Sequence, residues 1–393
     1  MSARNAFIIA ALLLAVPAGA QQAPISGTFV SMLGTDTVAV ERYTRTGSKL
    51  EGEFLSRYPR VQVVRYVADL GEGRFRGISV ATRTVDADPA TPPLFSMVTL
   101  LADSVATIEV QRGGRPDTAA SGRRPFKGRV APSIPGLPSP VGLYEQILAF
   151  NSPVGRDSLH VSLLGVTGPA TMSLFRRSRD TVAMISSFNQ GWLEVANIDQ
   201  AGRITRLDAT ATTVKTITQR GGSIDFDAIA KSWAAAEGAR GRLGRMSPLD
   251  SVRATVGTAN IEVVYGRPFK RGRVVWGNVV EWGKPWRTGA NNATQLTTSA
   301  DLVFGTTVIP AGKYTLWSLP TPTGTQLIIN SQTGQWGTQY DPARDVARLD
   351  LTQTMLAKPV EQFTISVAPQ AAGGSILRLA WDNREFSIPF RVR

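Results

Sequence analysis

The stretch Gly283-Lys284-Pro285-Trp286-Arg287-Thr288-Gly289-Ala290-Asn291-Asn292-Ala293-Thr294 concentrates side chains that recognise ligands. Arg287 offers a rigid fork of donors suited to a carboxylate or to loop carbonyls. Asn291 and Asn292 can close a turn through their side chains, and Gly289 permits a backbone conformation closed to other residues. Two readings follow from these residue types. In the first the segment is a brace: Trp286 enters a core, Arg287 pins neighbouring loops, and the asparagines shape the turn into a strand at Thr294 to Thr298. In the second it is one wall of a glycan or peptide site. Aromatic faces stack on sugar rings while Arg and Asn donate to hydroxyls or carboxylates, so Trp282, Trp286, Arg287, Asn291 and Trp336 form the candidate ligand-binding set.

Catalytic chemistry is harder to assemble. Glu281 with Asp341 or Asp345 would supply paired carboxylates for glycoside hydrolysis, which needs a separation of about 5 to 9.5 Å that sequence does not give. With Cys 0, thiolate zinc sites, iron–sulfur clusters and cysteine nucleophiles are excluded. His 1 leaves only His160 for a Ser-His-Asp triad and rules out two-histidine metal sites. On the strand-like run Leu159 to Leu163, His160 reads as a surface or sheet-facing residue. Gly277 to Lys284 resembles a P-loop but has one residue too many between its glycines, and Pro285 stands where Ser or Thr must hold magnesium. Gly71 to Gly77 carries its third glycine one residue late for a dinucleotide fingerprint, with no helix to follow. Both read as turns. No catalytic residue and no cofactor or metal ligand is assigned, and the chain reads more as a binding or structural module than as an enzyme.

Arg4 followed by the apolar run Ala6 to Ala18 and the small residues Ala18-Gly19-Ala20 forms a secretory signal peptide, with cleavage expected after Ala20. The run is shorter than the roughly 20 residues a membrane-spanning helix needs, and no later segment spans a bilayer. Without cysteine a lipoprotein is impossible, so a periplasmic or secreted protein is expected. The net charge of +13 is carried mostly by arginine. It reads first as an arginine-rich coding bias displayed on a solvated surface, and as the alternative it would steer envelope glycans, lipid headgroups or acidic proteins towards the protein as partners. Nucleic acid is not expected, because the basic residues are spread without a binding motif. Oligomeric state is not encoded in any pattern here.

The elements that must position these residues are mostly strands. From residue 21 to 222, short β-rich runs separated by turn residues predict a large curved antiparallel sheet or barrel-like domain. Gly113 to Pro140 reads as an extended loop leading into a short helix, with Ser139 as N-cap and Pro140 at its first position. A helix beside a curved sheet could plug an apolar cavity, which motivates a lipid or hydrophobic-ligand carrier; sealing an ordinary barrel end is the alternative. A second helix is expected over about Asp225 to Glu237, opening a helix-and-linker segment, 223 to 246, that ends in a glycine-rich basic hinge. Residues 247 to 393 alternate as strands and turns, predicting an antiparallel β-sandwich with a hairpin turn at Asp382-Asn383-Arg384-Glu385.

In that last region SPLDSV (247 to 252), YGRPFKRGRVVWG (265 to 277), GKPWRTGANNAT (283 to 294), IPAGKYTLWSLP (309 to 320) and QWGTQYDPARDV (335 to 346) stand in an order and spacing that resemble the bacterial domain of unknown function family 2911. The resemblance implies an exported β-rich module and carries no activity. Residues 21 to 246 lie outside it.

Overall fold

The computed structural model describes residues 23–134, 139–151, 158–166, 168–187, 192–241, 244–370 and 373–393. The expected signal peptide lies outside the described residues.

The alternating sequence of the first half builds one curved sheet of 16 strands. Its centre is β1 (Ile25–Leu33), β2 (Asp36–Thr46), β3 (Lys49–Ser56) and β4 (Gln62–Gly71), joined as antiparallel neighbours. Successive side chains in a strand face opposite ways, and here both faces are used. Ala39, Phe54 and Val64 join one hydrophobic cluster, while their neighbours Val40, Leu55 and Val63 join another on the opposite face. Register shifts at Ser31/Met32, Asp69/Leu70 and Asn197/Ile198 place bulges along the sheet, and bulges increase local twist and bend the strand. The sheet runs from Val130–Pro132 at one edge to Arg115–Pro116 at the other without closing into a barrel.

Each face carries one helix. Helix α1 (Val141–Phe150) buries Val141, Leu143, Ile147 and Leu148 against the inner face, in the cluster of Phe54, Val64 and Tyr66. Helix α2 (Phe226–Arg240) lays Phe226 and Ala230 on Val40, Leu55 and Val61 of the outer face. Asp225, expected inside the first turn, is instead its N-cap and accepts from Ala228 N–H at 2.9 Å. The start of α1 differs from the sequence expectation. Pro140, not Ser139, is the capping residue and its side chain makes no capping bond. Glu41 of β2 replaces it, accepting from the Val141 N–H at 2.6 Å and the Gly142 N–H at 3.0 Å. A cap supplied from 100 positions away leaves no local signature.

The second half forms a nine-stranded sheet folded sandwich-like over its own core, which includes Trp286, Leu316, Leu327, Phe363 and Trp381. The hairpin expected at Asp382 to Glu385 is absent. Ser375–Val392 is one continuous strand of 18 residues paired with the longer Asp345–Pro369 of 25, and Asp382 sits in a bulge with φ 51° opposite Val360. The polar quartet that looked like a turn is instead an interruption of register. Asp382 is tied there by Lys270 at 2.5 Å.

The two halves meet at a small polar and aromatic junction. Arg271 pairs with Asp36 at 3.3 Å and lies over the Tyr58 ring at 4.7 Å. Met246, on the connecting segment, packs with Leu33, Val38 and Tyr58. Gly272, at φ 69°, lets the turn approach Thr35: a Cβ there would sit 2.3 Å from the Thr35 hydroxyl.

Candidate functional site

Beside this junction the inner face of the curved sheet and the loops of the second half border a half-open cavity of about 840 Å³. That is within the roughly 300–1,000 Å³ of small-molecule sites. From the first half it is walled by Phe54 and Val64 of the sheet, Tyr144 of α1, Leu163, Trp192 and Val214; from the second by Val279, Trp286, Arg287, Asn291, Asn292 and Trp336. The cavity is therefore not confined to the N-terminal half, where a carrier function was expected to reside.

Four of the five predicted ligand-binding residues border it: Trp286, Arg287, Asn291 and Trp336. Trp282 does not. Its ring stacks on Trp276 at 6.4 Å and takes the Arg384 guanidinium at 5.0 Å. Trp286 is also engaged by protein, stacked on Trp381 at 5.8 Å and met edge-on by Trp276 and Phe363. These indoles hold one another, so free faces for sugar stacking are few.

The 283–294 segment is held largely by its backbone. Trp286 N–H donates to Ser318 O at 2.7 Å and its carbonyl accepts from Ser318 N–H at 2.8 Å. Thr288 and Asn291 take the left-handed conformations, φ 50° and 63°. Gly289, expected to need one, does not; it is required by crowding, since a Cβ would stand 2.9 Å from the Gly266 carbonyl oxygen. Gly337 likewise faces Arg287, where a Cβ would come within 2.0 Å of Arg287 Cδ.

Arg287 contributes little to that bracing. Its guanidinium makes one hydrogen bond among the described residues, from Nη1 to Gly337 O at 3.3 Å, and its buried Nε finds no acceptor. Burial pushes its pKa from 12.5 down to about 10, which leaves it charged at neutral pH. The indole Nε1 of Trp336 is likewise buried without an acceptor.

Sequence reasoning missed the cations that share this cavity. Lys215, at φ 59° on the loop after Ile204–Asp208, borders it with no hydrogen bond or ion pair among the described residues. Its pKa is lowered by burial and then by the charge of Arg287. Arg273 borders it too, donating only to the backbone carbonyls of Lys270 and Phe269, and burial pushes it down to about 10. Among the described residues Arg245 of the connecting segment is the fourth cation, and no aspartate or glutamate lines the cavity. A lone lysine among arginines, in Thr213-Val214-Lys215-Thr216, was the one available hint. Nothing in the chain order says that this loop faces Arg287.

The carboxylates weighed for hydrolysis are occupied and lie outside the cavity lining. Glu281 is exposed and paired with Lys284 at 2.5 Å. Asp341 caps a short 3-10 turn through Ala343 N–H, and Asp345 accepts from Asn330, Tyr340 and Arg348. His160 is exposed on its strand, with Nδ1 2.8 Å from the Ser173 hydroxyl. Among the described residues no group of His, Asp and Glu could hold a metal ion, and no helix is long and apolar enough to cross a membrane.

Two buried carboxylates stand behind the cavity wall. Glu41, besides capping α1, accepts from Tyr66 at 2.6 Å; burial raises it to about 7 against the pull of these bonds. Glu194 is raised to about 7 by burial, offset by hydrogen bonds with Trp192 and Tyr144, two residues whose other surfaces line the cavity.

Residues 247–390 match the family described as protein of unknown function (DUF2911). No curated protein matches the chain. The matched stretch contains Arg273, Trp286, Arg287, Asn291 and Trp336, whereas Lys215 and the sheet side of the cavity lie before it.

Proposed function

We propose that this protein is an exported binding protein or carrier for a small, largely apolar molecule held between its two halves. The observation that carries this reading is the cavity of about 840 Å³, walled by apolar and aromatic side chains from both halves and by a few convergent polar groups. That combination is the usual make-up of a ligand site. Glycan or peptide binding at the tryptophans is the weaker reading, because the indole faces of Trp282 and Trp286 are already covered by protein rings. Export rests on the apolar segment Ala6 to Ala18 and its small-residue cleavage pattern, which suits a carrier working in the cell envelope.

The test is binding of a neutral fluorescent probe, N-phenyl-1-naphthylamine, to the purified mature protein. Saturable binding that quenches tryptophan emission is expected. It should be lost in Ala170→Trp, which fills the cavity from its sheet side, while circular dichroism stays unchanged. Probe binding that survives in a folded Ala170→Trp variant counts against the cavity as the site.

A further inference from the structure

We infer that the molecule bound in this cavity is an anionic amphiphile, its head held by Lys215, Arg287 and the Trp336 indole, and its apolar chain running beneath the curved sheet along Phe54, Val64 and Leu163. The inference rests on reading the cavity as a ligand site and adds the chemistry of the ligand.

Charge balance is the first support. Buried or half-buried cations are normally paired, since an unpaired charge away from water is costly. This protein follows the rule elsewhere: Arg220 pairs with Glu145, Lys270 with Asp382 and Arg267 with Asp250. Around the cavity the rule fails. Among the described residues Lys215, Arg273 and Arg287 have no ion pair, and no carboxylate lines the cavity. Lys215 and Arg287 moreover repel one another. Glu281 acts on Lys215, and Glu361 and Asp36 on Arg273, only from beyond ion-pair distance, and each of these carboxylates is engaged elsewhere. The three cations therefore lack a counter-charge in contact, which a bound anion would supply.

Hydrogen-bond balance points the same way. The buried polar atoms of the described lining residues that lack a partner are Arg287 Nε, Trp336 Nε1 and the Tyr58 hydroxyl, the first two donors only and the third able to donate. Buried donors without acceptors are rare, and a carboxylate or phosphate head accepts several at once. The arrangement of the walls then sets the polarity of the ligand. Cations and indole donor come from the loops where the two halves meet, while the sheet side carries no charged residue among the described lining: Phe54, Val64, Ile134 and Leu163 share it with the neutral Ser56, Gln62, Thr82 and Ser186. A molecule filling both regions has one charged end and one apolar end.

The experiment uses the full mature chain and displacement of N-phenyl-1-naphthylamine by dodecanoate, dodecyl phosphate, dodecanol and inorganic phosphate. Dodecanoate or dodecyl phosphate is expected to displace the probe at about one-tenth or less of the concentration dodecanol requires, because charge-assisted hydrogen bonds are worth a tenfold change or more. The better of the two anions identifies the head. Lys215→Met and Arg287→Met should each shrink that ratio towards one without weakening dodecanol. Circular dichroism reports whether each variant is folded, and Lys215→Met, which removes no hydrogen bond or ion pair, keeps the test decisive if Arg287→Met is not. Equal displacement by dodecanol and the anions overturns the inference and leaves the carrier reading intact. An anion preference unchanged in both folded variants overturns the assignment to these residues. Displacement by inorganic phosphate at the dodecyl phosphate concentration overturns the amphiphile and leaves an anion site. Failure of the probe to bind at all removes the carrier reading itself.

Discussion

Lys215 and Arg287 come from loops of different halves and border the same cavity, where no carboxylate is among the described lining residues, and the charge of Arg287 helps to hold the Lys215 ammonium below its ordinary pKa. Such a pair is unfavourable to the empty protein. Residues shaped for a ligand commonly carry a stability cost of this kind.

Lys215→Met therefore should not destabilise the unliganded protein. Removing one of the clustered cations relieves repulsion and breaks no hydrogen bond or ion pair. The urea midpoint of the ligand-free chain is expected to stay level or rise, by up to about 1 kcal/mol in stability. A loss beyond about 1 kcal/mol would show that the lysine serves the fold.

Arg287 and Trp286 are neighbours with opposite expected costs. Arg287→Met forfeits a single 3.3 Å hydrogen bond, so a loss of at most about 1 kcal/mol is expected. Trp286→Ala opens a hole among Trp276, Phe363 and Trp381 and should cost about 3–5 kcal/mol. Equal losses in chemical denaturation would make Arg287 a brace after all.

Gly337→Ala tests the packing that sets the arginine. The new methyl would meet Arg287 Cδ at 2.0 Å and the Asn291 carbonyl oxygen at 2.4 Å. Since the second neighbour is backbone, the segment must shift, and a destabilisation of about 1–3 kcal/mol is expected. Retention of full stability together with unchanged ligand selectivity would contradict the close packing of 287 against 337.

Glu41 and Glu194 give the protein a pH dependence opposite in sign to that of salt-bridged carboxylates. Each is raised by burial from 4.5 to about 7, so between about pH 4.5 and 7 the folded chain binds more protons than the unfolded one. Stability is then greatest at the acid end of that window and falls as pH rises through 7, by about 1 kcal/mol per pH unit for each group at its steepest. Around Glu41 stand Tyr66, Glu145 and Tyr43, with Arg220 on Glu145. Urea unfolding should show a lower midpoint at pH 8 than at pH 5.5, and the Glu41→Gln, Glu194→Gln double variant should flatten the difference. A midpoint that rises from pH 5.5 to 8 would contradict it.

Arg271→Ala probes the junction beside the cavity. It removes the Asp36 ion pair and the cover over Tyr58. Faster release of a cavity-bound probe in stopped flow is expected, with both sheets still folded by circular dichroism. An unchanged release rate would place the ligand's route elsewhere.

Local patterns of the chain, taken alone, determined much of this protein. Alternation of apolar and polar residues reported strands because the side-chain period of two is a local property. The spacing of Phe226, Ile229 and Trp233, with Asp225 and Asp227 at the start, announced α2 because helical periodicity is local, and the absence of cysteine excluded whole classes of chemistry. Motifs from residue 247 onward marked the family resemblance, and the GKPWRTGANNAT stretch marked Trp286, Arg287 and Asn291, three candidates that border the cavity. Tertiary structure decided the rest, because those relations join residues distant along the chain. Glu41 caps α1 from another strand, Asp382 to Glu385 became a bulge only because a long partner strand runs past it, and Trp282 was withdrawn from the candidate set by its stack on Trp276. The cavity itself, and the meeting of Lys215 with Arg287 across it, exists only once two sheets are folded against each other. Charge repulsion and unpaired donors are functions of distance in space, and no spacing along the sequence encodes that distance.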